Sequence, residues 1–96
     1  MLPLKMRVFQ YVAQKGVEVN ADDVLVGLAS EYQGEKQFNR KRIEHYLDAL
    51  AAVGMIKETD VAYNDKGDIT ISYEATKLGK ERLRYIPENY KELPAE

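Results

Sequence analysis

The first part of the chain places its apolar residues at helical spacing. The first series occupies positions i, i+4, i+7 and i+8: Leu4, Val8, Tyr11 and Val12. This spacing predicts an amphipathic helix over residues 3–14. Pro3 suits its first turn, and Gly16 suits its C-terminal end. The next segment, 17–19, is predicted to be a short extended piece that closes onto a later sheet.

A second helical series begins after Asn20, a favourable N-cap residue. Asp22 and Asp23 follow, where carboxylates favour the positive end of the helix dipole. The apolar residues then continue at helical spacing: Val24, Leu25, Leu28, Ala29 and Tyr32. A second helix is therefore predicted over Ala21–Tyr32, ended by Gly34.

The third series begins with a hydrophobic staple. Phe38 precedes the cap residue Asn39, and Ile43 occupies the fourth helical position. The apolar residues share one side of the predicted helix: Ile43, Tyr46, Leu47, Leu50 and Ala51. This helix is predicted to run from Arg40 to Val53 and to stop at Gly54.

The period then changes from helical to alternating, which is typical of strands. Two strands are predicted, Ile56–Tyr63 and Ile69–Glu74, and the turn between them is Asn64–Asp68. A loop of this length places four apolar residues on one face of the hairpin: Val61, Tyr63, Ile69 and Ile71.

A fourth helix is predicted over residues 77–86, with Thr76 as its N-cap. Three apolar residues are expected to face inward: Leu78, Leu83 and Ile86. Pro87 ends the helix, because a proline inside a helix loses a hydrogen bond and clashes with the preceding turn. The chain therefore divides into one domain, residues 1–86, and a segment 87–96 that is either an arm or a disordered tail.

The amino-acid composition excludes several classes of protein. The 96 residues correspond to one domain, and the 45% hydrophobic and 31% charged fractions are ordinary for a globular protein. The absence of cysteine excludes disulfides, thiolate chemistry and cysteine metal sites. No apolar run approaches the roughly 20 residues that span a bilayer, and the N-terminal stretch lacks signal-peptide features. We expect a cytoplasmic protein without membrane contact.

The residues that could carry catalysis are too few. His45 is the single histidine, and the serines are Ser30 and Ser72, so no Ser-His-acid set can be assembled. The carboxylates show no repeated ligand spacing. We therefore expect a protein that is not an enzyme and has no metal or cofactor.

Positive charge is local in a chain whose net charge is −2. Residues 36–42 carry four cations and no acid: Lys36, Arg40, Lys41 and Arg42. A second basic group is offset only by Glu81: Lys77, Lys80, Arg82 and Arg84. Such groups are either a DNA-facing surface or a solvated surface.

The order of elements is helix, helix, tight link, helix, two-stranded hairpin, helix. It resembles the winged helix-turn-helix domain of small prokaryotic transcription regulators over residues 3–86. LDALAAVGMIKE, residues 47–58, is similar to the end of a recognition helix followed by a glycine and the first wing strand. ISYEATKLGKERL, residues 71–83, is similar to the second wing strand followed by a Thr-x-x-Gly helix start. The resemblance implies an α+β fold with three helices, a hairpin wing and a C-terminal helix.

The same resemblance implies that the helix Arg40–Val53 lies in the major groove of DNA. The implied DNA-binding residues run from the link to the wing tip: Lys36, Gln37, Asn39, Arg40, Lys41, Arg42, Glu44, His45 and Lys66. Arginine pairs bidentately with guanine, and lysine contacts guanine or phosphate. Glu44 either accepts a hydrogen bond from cytosine or is a solvated partner of Lys41 or Lys36.

Acidic residues at two places depart from the pattern of a DNA-binding winged helix. Asp65 and Asp68 flank Lys66 at the wing tip, and Asp22 and Asp23 begin the second helix. Carboxylates there repel phosphate, so contact mainly through the third helix is expected. Two functions remain: a sequence-specific double-stranded DNA-binding transcription regulator, and a winged-helix protein–protein interaction module with little or no DNA binding.

A homodimer is one expected assembly, because small regulators gain affinity by pairing two copies on a palindromic site. Four residues outside the predicted core are candidates for the two-fold contact: Phe9, Tyr85, Tyr90 and Leu93. The alternative is a monomer whose residues after Pro87 are disordered.

Overall fold

The computed structural model describes residues 3–85, without the side chain of Tyr85. Three helices are followed by a two-stranded hairpin and a short helix, ending in a 3₁₀ turn at Leu83–Tyr85. The bounds are α1 Leu4–Lys15, α2 Ala21–Tyr32, α3 Arg40–Ala52, β1 Ile56–Tyr63, β2 Ile69–Ala75 and α4 Lys77–Arg82. The predicted α+β winged-helix architecture is confirmed.

The predicted cap residues begin their helices. The Asn20 side chain accepts a hydrogen bond from the Asp23 N–H at 2.9 Å, and the Asp23 carboxylate accepts from the Asn20 N–H at 3.0 Å. This reciprocal pair is a capping box. Asn39 caps α3 by accepting from the Arg42 N–H at 2.9 Å, and Thr76 caps α4 in the same way. Each cap satisfies a backbone donor that has no partner within its helix.

The hairpin pairs in the predicted register near its turn. Val61 lies opposite Ile71 and Tyr63 lies opposite Ile69, so all four side chains point to one face. A bulge shifts the register closer to the base of the hairpin.

The extended piece before α2 joins this sheet, as predicted. Val19 forms an isolated antiparallel bridge with Tyr73 of β2. The two residues exchange backbone hydrogen bonds, with N–O distances of 2.8 and 2.7 Å. This bridge ties the wing to the start of α2.

The core lies between the helices and the base of the hairpin. Its largest fully buried side chains are Phe9, Leu28, Ile43, Leu47, Ile56, Val8, Val12 and Val24. Leu25, Ile71 and Leu83, which continue the predicted apolar series, are partly buried and pack against this core. The helical and alternating patterns therefore identified most of the core.

Two predictions about burial are wrong. Phe9, expected at an intersubunit contact, is 1% exposed within the core. The Phe9 ring lies close to Gly79 of α4, since a Cβ built on Gly79 would be 3.4 Å from Phe9 Cε1. Helix α1 therefore packs on α4 as well, and the buried side of α1 is wider than the predicted stripe. Leu78, expected to face inward, is 40% exposed. Gly79 takes the inward position instead, against the backbone of Met55.

Several predicted features lie outside the described residues. They are the side chain of Tyr85, Ile86, the proposed arm or tail 87–96, and within it Tyr90 and Leu93. A homodimer through these residues therefore stays a prediction. None of the described helices has the length and apolar character to cross a membrane.

Candidate nucleic-acid interface

Short-range contacts fix the point at which the chain enters α3. The Asn39 side-chain amide donates to the Lys36 carbonyl at 2.9 Å, while its oxygen caps the helix. Phe38 stacks on Tyr32, with ring centroids 5.5 Å apart. These contacts orient the first turn of α3, whose opposite side is held in the core by Ile43.

A shallow depression lies against the first two turns of α3. Its volume is about 300 Å³, and it is lined by Asn39, Lys41, Arg42 and His45. These four residues, all exposed, are called the basic face below. Neither Lys41 nor Arg42 forms an ion pair with any residue between 3 and 84. The structure thus brings together four predicted site residues, two of them cations available to a ligand.

The chemistry of the basic face suits an anion or a nucleobase edge. The arginine fork and the lysine ammonium donate hydrogen bonds to phosphate or to guanine. The imidazole of His45 adds further hydrogen-bonding nitrogens, whereas the Asn39 amide is already engaged with the Lys36 carbonyl and the Arg42 N–H group. No group of three or more His, Asp or Glu side chains among the described residues could hold a metal ion.

Three other predicted site residues, two cations and one glutamine, lie outside the basic face. Lys36 and Gln37 are exposed in the link that precedes α3. Lys66 lies at the exposed wing tip, where the Asn64 side chain accepts from the Lys66 and Asp68 backbone N–H groups at 2.9 and 3.0 Å. Lys66 does not line the depression of the basic face.

Arg40 is placed differently from its neighbours on α3. Three carboxylates lie 3.3, 3.9 and 3.5 Å from its guanidinium nitrogens: Asp22, Glu44 and Asp68. Nη2 also reaches the Ile69 carbonyl and the Thr70 hydroxyl, both at 3.4 Å. Arg40 therefore connects α2, α3 and the wing, and its four ionic groups are called the Arg40 cluster below.

The Arg40 cluster changes the electrostatic picture drawn from the sequence. Asp22 and Asp68, which were expected to repel phosphate, are each paired with Arg40. Glu44 also pairs with Arg40 rather than with Lys41 or Lys36. A DNA contact by Arg40 would require its guanidinium to leave these partners, so its predicted role in DNA binding stays a prediction. Sequence reasoning missed the cluster because its members come from three elements.

The wing presents an apolar surface beside α3. Val61, Tyr63 and Ile69 are 59, 73 and 54% exposed. They point to the side of the hairpin that carries Ile71 and Tyr73, two residues that line a cavity against α3. The surface around α3 therefore combines the basic face with an apolar region on the wing.

Comparison with solved structures supports the fold. The chain is similar to the crystal structure of a candidate transcriptional regulator from Thermoplasma acidophilum, with a TM-score of 0.64 and 17% identity. That alignment covers 92% of this chain and 84% of the other. A second similar structure comes from work on the DNA recognition and protein interaction domains of HOP2, with a TM-score of 0.56 and 24% identity. It covers 77% of this chain and 100% of that one. No protein-family model and no curated protein sequence matches the chain.

Proposed function

We propose that the protein binds double-stranded DNA as a small transcription regulator, with the first turns of α3 in the major groove. The observation that carries this proposal is the basic face. Lys41 and Arg42 project from the start of a helix whose other side is anchored in the core, and neither has an ionic partner among the described residues. A helix inserted into a groove needs this division between an anchored side and a reading side.

The similar structures agree with this proposal, but the proposal does not rest on them. One is described as a candidate transcriptional regulator and the other as part of a protein with DNA recognition domains. At 17 and 24% identity these likenesses support the winged-helix fold alone. The functional argument therefore rests on the side chains of this chain.

The charge distribution predicts weak binding with a shallow salt dependence. Three exposed cations lie in the link and the basic face: Lys36, Lys41 and Arg42. Neutralising three phosphates gives a slope of about −3 in a plot of log affinity against log salt. Asp65 at the wing tip discourages a further backbone contact there.

The proposal is tested by removing charge from the basic face. Lys41→Gln with Arg42→Gln is expected to weaken binding to duplex DNA at least about tenfold, because charge-assisted contacts to bases and phosphates are lost. Fluorescence anisotropy at two salt concentrations measures the affinity and the slope. The matched control is Lys5→Gln with Lys15→Gln, which removes the same charge from exposed positions of α1.

Equal losses in the two double variants would show that any DNA binding follows net charge and not the basic face. No measurable binding by the unchanged chain at low salt would favour the second candidate function, a protein–protein interaction module. The exposed apolar residues of the wing are the observation that favours it. Pairing of two copies on a palindromic site remains a prediction in either case.

A further inference from the structure

A groove lies between α3 and the wing, beside the basic face. Its volume is about 280 Å³. Buried Leu47 and Tyr73 and half-buried Ile71 form its apolar floor, while exposed Glu44 and Asp48 stand on its α3 side. The groove therefore combines an apolar base with two carboxylates on one wall.

The apolar floor continues onto the surface of the wing. Ile69 lines the groove and is 54% exposed. Val61 lies directly opposite Ile71 in the hairpin, and Tyr63 lies opposite Ile69, so all four share one side of the sheet. Together they form an apolar strip from the groove towards the wing tip, with the two-residue period of a strand.

Carboxylates outnumber cations around the groove. Arg40 lies at one end, where it pairs with Glu44 and donates to Ile69 and Thr70, whereas Asp48 and Glu58 form no ion pair among the described residues. Glu58 lies opposite Tyr73, on the same side of the hairpin as the apolar strip. Burial raises the pKa of the Tyr73 hydroxyl, and the carboxylates of Glu58, Asp48 and Glu44 raise it further. This charge repels phosphate, so the groove is suited to a ligand other than the DNA backbone.

We propose that this groove docks an extended segment of a partner protein in which lysine or arginine residues alternate with apolar residues. Charge complementarity selects the cations, which reach Asp48 and share Glu44 with Arg40, while their aliphatic stems cover the apolar floor. The alternate side chains cover the exposed strip of Val61 and Ile69. The period of the strip matches an extended peptide, whose side chains on one face also recur every second residue.

A cationic segment of a second copy fits the groove less well. Among the described residues, cationic and apolar side chains alternate over residues 4–8 of α1 and are mixed in α4 and the turn after it. Both segments are helical, Val8 of the first is buried in the core, and Leu83 of the second packs against it. The proposal therefore assigns the groove to a different protein, and it does not depend on DNA binding.

The probe for this site is a labelled ten-residue peptide of alternating lysine and valine. Its affinity for the full chain is measured by fluorescence anisotropy, and its site by changes in backbone amide NMR signals. We expect signals of α3 near Asp48 and of β2 to shift. Two control peptides are used, one that alternates lysine with serine and one that alternates glutamate with valine. Each is expected to bind at least about tenfold more weakly, because the first lacks the apolar side chains and the second lacks the positive charge.

Variants of the chain test each feature separately. The double variant Glu44→Gln with Asp48→Asn is expected to weaken binding of the lysine–valine peptide about tenfold. The double variant Val61→Ser with Ile69→Ser is expected to weaken binding by a similar factor. The control is Glu74→Gln with Glu81→Gln, which removes the same charge from outside the groove and should change the affinity less than about twofold. The amide spectrum of each free variant verifies that it is folded.

Three outcomes would overturn the proposal. One is equal weakening by the groove and control variants, which would mean attraction by net charge alone. Another is a set of NMR shifts that avoids the groove. The third is self-association of the free chain in sedimentation that Val61→Ser with Ile69→Ser abolishes, since the occupant would then be a second copy.

Discussion

Gly79 lies where α4 meets the start of β1, and its replacement by alanine is expected to destabilise the domain by about 2–4 kcal/mol. A Cβ at this position would overlap the carbonyl oxygen of Met55 and lie 3.0 Å from the Met55 carbonyl carbon. It would also contact the buried ring of Phe9 at 3.4 Å. The obstacle is mainly backbone, which cannot move aside by a change of rotamer.

The magnitude follows from three contributions. Overpacking of a core costs about 1–3 kcal/mol, and an obstacle made of backbone belongs at the upper end. The Met55 carbonyl accepts a hydrogen bond from the Thr76 N–H at 3.1 Å, and moving it weakens a bond worth about 0.5–1.5 kcal/mol. The higher helix propensity of alanine offsets at most about 1 kcal/mol of this loss in the free energy of unfolding.

Gly27 in α2 provides a matched comparison. A Cβ there would overlap the hydroxyl end of the Tyr11 side chain. That hydroxyl makes a long hydrogen bond of 3.4 Å to the Asp23 carbonyl, and the Tyr11 ring is only partly buried, so it can rotate away. Gly27→Ala is therefore expected to change the free energy of unfolding by less than about 1 kcal/mol, because the gain in helix propensity offsets the displacement of Tyr11.

Urea denaturation followed by far-ultraviolet circular dichroism compares the two variants, since the chain has no tryptophan to serve as a fluorescent probe. A loss below about 1 kcal/mol for Gly79→Ala would refute the close approach of α4 to Met55. Equal losses in the two variants would refute the distinction between a backbone obstacle and a side-chain obstacle.

Two further predictions concern the Arg40 cluster and the buried phenol beside the groove. Arg40→Gln should speed hydrogen exchange of the wing amides about fivefold, while the control Arg42→Gln should leave the exchange rates unchanged. Equal exchange rates in the two variants would mean that Arg40 does not hold the wing. Because the pKa of Tyr73 is raised in the folded state, the unfolded chain loses this proton first above about pH 10, and stability then falls as the pH rises. Tyr73→Phe should reduce that fall in alkaline thermal unfolding, and an unchanged slope would contradict the assignment.

The sequence predicted the features that depend on neighbours along the chain. Asn20, Asn39 and Thr76 were recognised because a cap bonds to an N–H group three residues ahead. The hairpin register followed from alternation and loop length, and the bounds of α2 agreed with the structure. The basic face was likewise recognisable, since Lys41 and Arg42 are adjacent at the start of a predicted helix.

The features that were missed depend on packing between distant elements. Phe9 was assigned to the surface because one helical stripe was assumed to be the buried side of α1, whereas α1 contacts α4 as well. Arg40 was grouped with its cationic neighbours, although folding places it among carboxylates from α2, α3 and the wing. The groove could not be predicted either, because its apolar floor is created when β2 lies against α3.

Two adjoining surfaces of α3 carry opposite charges, so ligands bound to these surfaces would affect each other. Lys41 and Glu44 are three residues apart, which places them as neighbours on a helix surface. Phosphates held by Lys41 would therefore lie within the roughly 10 Å over which Glu44, compensated only in part by Arg40 at 3.9 Å, repels them at ordinary ionic strength. A cationic segment in the groove would compensate Glu44 and Asp48 and so strengthen DNA binding. By linkage, DNA on the basic face would strengthen binding of that segment by the same factor, and salt would weaken the coupling.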